Sequence, residues 1–393
     1  MRGTTVSASR PADPRGVSGG LENVVVGTTT IGEVDGERGR LIYRGYDAVD
    51  LAEEGPFEAV WHLLDTGRLP ADGELKGFRQ RVRAAGALTP AASRAVSGLR
   101  GSGTPLAALR SAVSMLAAER GLRPWLERGA SELRDEVLGL AASIPAIVCA
   151  VAGAHDGGNR PAPLDGDTHA ERYLHGLTGR VPGPAAVRAL DRYLSLTADH
   201  GMNSSTFVAR VVTSTGADAG ASIVAALGAL SGPLHGGAPG PVLEMLDEIG
   251  SAGRARDWIA RRVAEGHRIM GFGHRVYRTD DPRAMSLRRI AIENGAGRAE
   301  LAVAVERAAL DVLAETKPSR TLRTNVEFWT AVTLDACGIP RELFTPTFAV
   351  SRVVGWGAHV VEQAGGNRLI RPTVDYVGSR PDDAPRAGVE RSA

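Results

Sequence analysis

Three of the nine histidines stand among glycines or polar capping residues. They are His200 in "ADHGMNSSTF", His235 in "SGPLHGGAPG" and His274 in "GFGHRVYRTDDPR". Glycines beside a histidine let the backbone approach a ligand closely and leave the imidazole uncovered. Turn glycines next to purely structural histidines would give the same pattern. No two of these histidines have the spacing of a HxxxH or HExxH helix pair, so the sequence predicts no metal site.

The segment after the third histidine is rich in arginine. Arg275, Arg278 and Arg283 follow it within nine positions. Asp281 is predicted to cap a helix that Pro282 opens, and this places Arg283 in the first helical turn. A helix N-terminus with arginine beside it suits anionic groups, whereas a solvated basic face is the alternative interpretation.

Two further arginines and one acid lie in apolar surroundings. Arg352 interrupts the apolar run "AVSRVVGWGAHVV", which predicts a buried anionic partner for it. Arg371 precedes a proline in "LIRPTVDYVG" near the end of the ordered chain, where a plain surface arginine is also plausible. Glu327 lies in "NVEFW", and on its own is either a catalytic base or a surface carboxylate of a buried helix.

These residue types limit the chemistry. The sequence contains no GxSxG nucleophile motif, no Walker lysine motif and no convincing GxGxxG phosphate loop. What remains is a set of histidines, one acid and several arginines. Such a set suits proton transfer next to a carbonyl group on a substrate that carries several negative charges.

Bulk composition excludes several classes of protein. The chain has 393 residues, 43% of them hydrophobic, which allows one large or two ordinary domains with a sizeable core. A net charge of +1, with both signs mixed along the chain, disfavours a nucleic-acid binder. The two cysteines, Cys149 and Cys337, indicate neither a disulfide framework nor a cysteine zinc site. With only Lys76 and Lys317 as lysines, a Schiff-base mechanism is not favoured.

Targeting and membrane signals are weak. The N-terminal stretch has no apolar core, so it does not resemble a secretory signal. Two uncharged runs, 137–154 and 219–243, are long enough to be weighed as membrane spans. Proline inside the first, and glycine, proline and histidine inside the second, favour buried helices instead. We therefore predict a cytoplasmic protein that does not bind membranes.

Helical periodicity dominates the elements that must hold these residues. Apolar residues recur at helical spacing on single faces, as in the set Phe57, Val60, Trp61 and Leu64, which ends at Gly67. Thr104 and Pro105 are predicted to open another helix. The main strand signal lies near residue 35, where Asp35-Gly36 predicts a hairpin. The fold class is mostly α with a small N-terminal β element, and a Gly- and Pro-rich break at 231–241 indicates a hinge.

The motifs occur in a fixed order, "DHGMNSSTF", "GPLHGGA", "GFGHRVYRTDDPRA", "NVEFW", "SRVVGW" and "RP". In this order the chain resembles the citrate synthase family, from "GLENVVVGTTTIGEVDGERGRLIYRGYD" to "RPTVDYVG". The resemblance implies a two-domain helical fold that works as a homodimer. Its large domain would comprise 21–235 and 339–378, and its small domain 236–338. The tails 1–20 and 379–393 are predicted to be disordered.

The resemblance also implies an activity. Members of the family join acetyl-CoA to oxaloacetate and then hydrolyse citryl-CoA, with acyl-CoA as co-substrate, no metal and no permanently bound cofactor. By position, His235 would stabilise the enol of the thioester and His274 would polarise the ketone of oxaloacetate. Glu327 falls at the position of the base that removes a proton from the acetyl methyl group.

The remaining positions would bind substrates. His200, Arg283 and Arg352 would hold oxaloacetate. Arg371 would reach in from the other subunit. Arg278 and Arg268 would meet the phosphates of CoA. The partners implied are therefore small molecules and a second copy of the chain, with no nucleic acid and no membrane.

Three positions depart from the family pattern. Glu327 replaces the usual Asp, Pro239 follows "GGA" where Asn is common, and Thr324 stands where Pro is commoner. The extra methylene of Glu extends the carboxylate by roughly one bond, about 1.3 Å, and a misplacement of that size can cost about 100-fold in rate. Glu327 and the altered "GGAPG" leave open a weakly catalytic paralogue that binds acyl-CoA or dicarboxylate. Two further alternatives stay open: a 2-methylcitrate synthase that uses propionyl-CoA, since the acyl pocket is not identified from the sequence, and a helical scaffold with structural histidines.

Overall fold

The computed structural model of the protein describes residues 19–21, 24–99, 103–155, 164–236, 239–295 and 297–380. Most of the two predicted tails, 1–18 and 381–393, therefore lies outside the described residues. Within the N-terminal one, Gly19–Leu21 forms a short 3-10 helix. Residues 379–380 are exposed and have no regular structure.

A small antiparallel sheet opens the described chain. Its strands are β1 (Gly32–Asp35), β2 (Arg40–Tyr43) and β3 (Tyr46–Asp47), in the order β1-β2-β3. The loop 36–39 joins the first two strands, so the predicted hairpin at Asp35-Gly36 is confirmed.

Helices make up the rest of the described fold. In chain order they are α1 (Ala48–Glu54), α2 (Phe57–Thr66), α3 (Glu74–Ala85), α4 (Pro90–Gly98), α5 (Pro105–Glu119), α6 (Ala130–His155), α7 (His169–Thr178), α8 (Pro184–Thr197), α9 (Ser204–Ser214), α10 (Ala219–Leu230), α11 (Pro239–Ile249), α12 (Ala255–Ala264), α13 (Pro282–Glu293), α14 (Ala299–Thr316), α15 (Val326–Ala336) and α16 (Phe344–Gly365). The predicted class, mostly α with a small N-terminal β element, is confirmed.

Local signals act where the sequence predicts them. The Thr104 side chain accepts from the Ala107 N–H at the start of α5, and Pro105 occupies its first turn. Gly67 ends α2 with φ 86°, a left-handed conformation that glycine adopts without a side-chain penalty. The predicted apolar face of α2 is buried.

The core surrounds two long helices. α16 packs against α6, α8, α9 and α10, and its residues 344–360 are largely buried. Within the described ranges, α6 is long and apolar enough to cross a bilayer, but 83% of its most apolar 18-residue window is buried inside the protein. It is a core helix, continuous through Pro145. The second uncharged run, 219–243, is not one helix, because α10 ends at Leu230 and α11 begins at Pro239.

Five consecutive helices pack largely on one another. α12 lies on α14, α13 lies on α15, and α11 contacts both α14 and α15. Their main contact with the preceding helices is with α8. Their contact with α16 is made by α11. This grouping is compatible with the predicted small domain at 236–338, whose boundaries and hinge stay predictions.

Candidate active site

His274 and Glu327 lie on two segments that are joined through their backbones. Phe272 pairs with Thr324 in an isolated antiparallel bridge. Two N–H···O=C hydrogen bonds of 2.7 and 2.9 Å flank this bridge and join the segments. Neither of them uses the N–H of Thr324, so the proline that is commoner there would leave both bonds intact. The bridge fixes the start of α15 relative to the loop of His274.

Two glycines allow this loop to approach α15. Gly271 has φ 83° and Gly273 has φ 89°, where side chains are strained. A Cβ at Gly271 would lie 2.7 Å from the Cβ of Phe328. The glycines of "GFGH" therefore serve close packing of the loop onto α15 as well as the exposure of the imidazole.

The carboxylate of Asp281 connects three parts of the site. Its Oδ1 accepts from the backbone N–H (3.1 Å) and the Nε–H (3.0 Å) of Arg283. Its Oδ2 accepts from Nη2 of Arg283 (2.8 Å) and from the N–H of Val326 (3.0 Å), at the start of α15. The predicted cap at Asp281 is confirmed, but the same carboxylate also pairs the buried Arg283 and holds the helix that carries Glu327.

The imidazole of His274 has a defined tautomer. Its Nδ1 accepts from the N–H groups of Val276 (2.9 Å) and Tyr277 (3.0 Å). Burial, and then Arg283, lower the pKa of His274 to about 4. The ring is therefore neutral near pH 7, carries its proton on Nε2, and presents this N–H as a donor.

His200 lies beside the same ring. The centroids of His200 and His274 are 5.5 Å apart, and Nε2 of His200 is 3.3 Å from the hydroxyl of Tyr277. Burial, followed by Arg283 and Arg352, lowers the pKa of His200 well below its usual range. It is a neutral group that binds through hydrogen bonds rather than through charge.

His235 lies in the turn between α10 and α11, with its Nε2 2.7 Å from Oγ of Ser205. That oxygen also accepts from Nε1 of Trp356 (3.1 Å) and lies 2.9 Å from Oδ1 of Asn203. The hydroxyl has one proton, which it donates either to Asn203 or to His235. Donation to His235 leaves the ring proton on Nδ1, free for a ligand. Burial and Arg352 lower the pKa of His235 to about 4.

Arg352 is 2% exposed in the middle of α16. Its Nε–H donates to the carbonyl of Thr197 (2.8 Å), and its guanidinium lies 4.5 Å from the centroid of the Phe348 ring. The anionic partner predicted from the sequence is not found within the described residues, none of whose carboxylates forms an ion pair with it. Burial lowers its pKa to about 10, so it remains a cation near pH 7. A buried, unpaired cation favours an anionic ligand.

The side chain of Glu327 is mostly buried at the first turn of α15. Its carboxylate accepts no hydrogen bond from any residue of the described ranges, while its N–H donates to Oδ1 of Asn325 (3.0 Å). Burial raises its pKa to about 7, against the opposing effect of Arg283 and Arg268. A carboxylate with this pKa is a stronger base than an ordinary glutamate.

The three histidines, Glu327, Arg283 and Arg352 lie close enough to influence one another electrostatically. The other predicted arginines lie at the surface of the chain. Arg268 is exposed, yet close enough to lower the pKa of Glu327. Arg278 is exposed, and its N–H donates to the carbonyl of Gly36 in the hairpin (2.9 Å). Arg371 is exposed in the irregular segment after α16 and contacts none of these residues.

Sequence reasoning missed two polar groups of the site. Tyr277 lies three residues after His274, and that spacing in "GHRVYR" was the available signal. Asp199 is fully buried next to His200 and lies 3.2 Å from Nε2 of His359. Burial by itself raises the pKa of Asp199, but His359 and Arg352 outweigh it and hold the pKa below its usual range. Among the described residues, no group of three His, Cys, Asp or Glu side chains could hold a metal ion.

Comparisons with known proteins show similar sequences and a similar structure. Residues 20–373 match the family model described as "Citrate synthase, C-terminal domain". The chain is 40% identical over 368 residues to "Putative citrate synthase 2" of Mycobacterium tuberculosis, covering 92% of this chain and 93% of the relative. It is 39% identical over 363 residues to "2-methylcitrate synthase" of the same species, covering 91% and 90%.

A solved structure is similar over nearly the whole chain. It is the ternary complex of carboxymethyl coenzyme A and oxaloacetate with citrate synthase from Thermoplasma acidophilum, with a TM-score of 0.85 and 30% identity. The similarity covers 94% of this chain and 97% of that one.

Proposed function

Because this chain belongs to the citrate synthase family, whose members are condensing acyltransferases, we propose that it condenses acetyl-CoA with oxaloacetate and hydrolyses citryl-CoA to citrate and CoA. No permanently bound cofactor is needed for this chemistry. Acyl-CoA serves as co-substrate, and the side chains described above supply the base and the hydrogen-bond donors.

Glu327 removes a proton from the acetyl methyl group. A thioester α-proton is very weakly acidic, so the enolate must be stabilised while it forms. His235 donates from Nδ1 to the thioester oxygen, in the state where Ser205 donates to its Nε2. The lowered pKa of His235 keeps the ring neutral near pH 7, and in this state its Nδ1–H is the donor available to the substrate.

His274 donates its Nε2–H to the ketone oxygen of oxaloacetate and thereby polarises the carbonyl that the enol attacks. Its fixed tautomer supports this assignment. Arg283, Arg352 and His200 hold the two carboxylates of oxaloacetate through charge-assisted hydrogen bonds. The Thermoplasma complex is named for oxaloacetate and a derivative of coenzyme A, the two classes of ligand proposed for this site.

One observation carries this proposal: a mostly buried carboxylate without a hydrogen-bond partner in the described residues is fixed, through a backbone bridge, relative to a neutral histidine donor. The test is steady-state release of CoA from acetyl-CoA and oxaloacetate by wild type, Glu327→Gln and Glu327→Asp. Wild type should turn over, and Gln should lower kcat by at least about 1,000-fold, because an amide cannot accept the proton.

Glu327→Asp reports whether the extra methylene is accommodated. We expect a loss of about 100-fold, since the local backbone holds a carboxylate that is one bond longer. If wild type binds oxaloacetate and CoA but turns over no faster than Glu327→Gln, the protein is the weakly catalytic, ligand-binding paralogue instead.

A second candidate is 2-methylcitrate synthase, which uses propionyl-CoA. The chain is almost equally identical to the relative named citrate synthase (40%) and to the one named 2-methylcitrate synthase (39%), which favours retaining this second candidate. The ratio of kcat/KM for acetyl-CoA and propionyl-CoA separates the two activities. A clear preference for propionyl-CoA would make 2-methylcitrate synthase the better assignment.

We also propose that the protein is a cytoplasmic homodimer in which Arg371 of one chain reaches the site of the other, and that Arg278 and Arg268 bind the phosphates of CoA. The exposure of all three side chains in the single chain is compatible with these roles.

A further inference from the structure

A pocket separate from the candidate active site has four cationic side chains among its eleven lining residues. It lies between α2, α3 and α7 and has a volume of about 530 Å³, which is in the range of small-molecule sites. None of its lining residues belongs to the candidate active site. Its cations are Lys76, Arg79, Arg83 and Arg172.

The charges of this pocket do not cancel. Its lining contains four cations and two carboxylates, Glu58 and Asp167, an excess of two positive charges, whereas the whole chain carries a net charge of only +1. Oε1 of Glu58 is already engaged by Arg79, at 3.0 Å, while its buried Oε2 has no partner in the described residues. Arg83 pairs with the exposed Asp165, at 3.6 Å, beside the pocket. Lys76 is exposed and forms neither a hydrogen bond nor an ion pair with any residue of the described ranges. Arg172 has its pKa lowered by burial and by the neighbouring Arg83.

His169 adds a second, independent observation. It is 6% exposed, lines the pocket, and its Nε2 has no hydrogen-bond partner among the described residues. An unpartnered buried polar atom is costly, and because Nε2 is closed to solvent, the ring must turn toward the pocket before a bound anion can accept a hydrogen bond from it. The N-terminus of α7 does not offer its N–H groups to a ligand. The N–H of His169 already donates to Oε1 of Glu58 (2.9 Å), and Thr168 caps the helix.

We propose that this pocket binds a small anion that carries two or more phosphate groups. Guanidinium groups match phosphate oxygens in pairs, and an ammonium group adds a mobile point charge. Leu75 and Val82 provide an apolar wall beside the cations. A nucleoside polyphosphate and an inorganic polyphosphate share this chemistry. The site is independent of the catalytic roles proposed above.

The test measures binding to the full-length protein with its active site saturated by CoA and oxaloacetate, so that phosphates cannot bind there. Inorganic tripolyphosphate and ATP are the probes, followed by calorimetry and by thermal unfolding. Both probes should raise Tm and bind with a measurable Kd. If only ATP does so, the apolar wall recognises the nucleoside; if tripolyphosphate binds equally well, the phosphates suffice.

Lys76→Glu should weaken the Kd of either probe by at least about tenfold, because a favourable charge becomes a repulsive one. Arg307→Glu makes the same change in net charge on the exposed face of α14 and should leave the Kd unchanged. The proposal is overturned if wild type binds neither probe, if Lys76→Glu binds like wild type, or if both variants lose affinity equally.

Discussion

At the level of single residues, the protonation of Glu327 decides when this site can act as a base. Burial raises its pKa to about 7, while the pKa values of His235 and His274 are lowered to about 4. Between pH 5 and 8, roughly, the acid is therefore the group of this set that titrates. The histidines stay neutral in this window and remain hydrogen-bond donors.

The expected result is a kcat/KM for acetyl-CoA that is constant above pH 7 and falls about tenfold per pH unit well below it. The rate falls toward low pH because Glu327 acts as a base only when deprotonated. Its raised pKa moves its protonation into the neutral range. Rates measured from pH 5 to pH 8.5 provide the check. Residual turnover by Glu327→Gln should lack this acidic limb, and a flat wild-type profile would contradict the assignment.

At the level of elements, much of the scaffold follows from local sequence. The hairpin, the face of α2 and the caps at Thr104 and Asp281 are confirmed because each depends on residues only a few positions apart. The second role of Asp281 was not predictable in this way, since its bond to Val326 joins residues 45 positions apart. The contacts of Tyr43, whose hydroxyl donates to the carbonyl of Asp199, span 156 positions.

Asp281→Asn isolates the charge of this carboxylate, because Asn can still cap α13. The buried Arg283 would lose its ion pair, and we expect the free energy of unfolding to fall by about 3 kcal/mol. Urea denaturation measures this loss. Asp311→Asn, at an exposed position of α14 without an ion pair in the described structure, should change stability by less than about 0.5 kcal/mol.

Gly271→Ala tests the close approach of the loop to α15. Its control is Gly266→Ala, since Gly266 also has a positive φ (79°) but no atom within 4 Å of a built Cβ. Backbone strain alone should cost about 1 kcal/mol in the control. The contact with Phe328 should add about 1–3 kcal/mol at Gly271 and lower kcat as well. Equal losses of stability in the two variants would show that the contact is unimportant.

At the level of the whole molecule, the segment after α16 is notable because it exposes several apolar side chains. Val374, Tyr376 and Val377 are 90%, 62% and 74% exposed in the single chain. Several apolar side chains exposed together are typical of a segment that packs on a partner. This supports the proposed homodimer, in which the segment around Arg371 would reach the site of the other chain.

Mixing two inactive variants tests whether Arg371 serves the other subunit. In a heterodimer of Arg371→Ala and Glu327→Gln chains, one site would contain both native residues and the other neither. If equal amounts of the two chains assemble at random, about 25% of all sites should contain both native residues, and activity should recover to about 25% of that of wild type. Each variant assembled alone is the control, and the absence of recovery in verified heterodimers would mean that Arg371 acts within its own chain or not at all.

The backbone bridge between Phe272 and Thr324 also has a consequence for how this protein tolerates mutation. Geometry that is held by main-chain atoms survives changes of side chain, so position 324 is open to drift, as the exchange of proline for threonine illustrates. Asp281 is the opposite case, because its carboxylate serves Arg283 and Val326 together and no single replacement satisfies both. A library designed to retune the reach of Glu327 should therefore diversify the residues just before Asn325 and leave Asp281 unchanged.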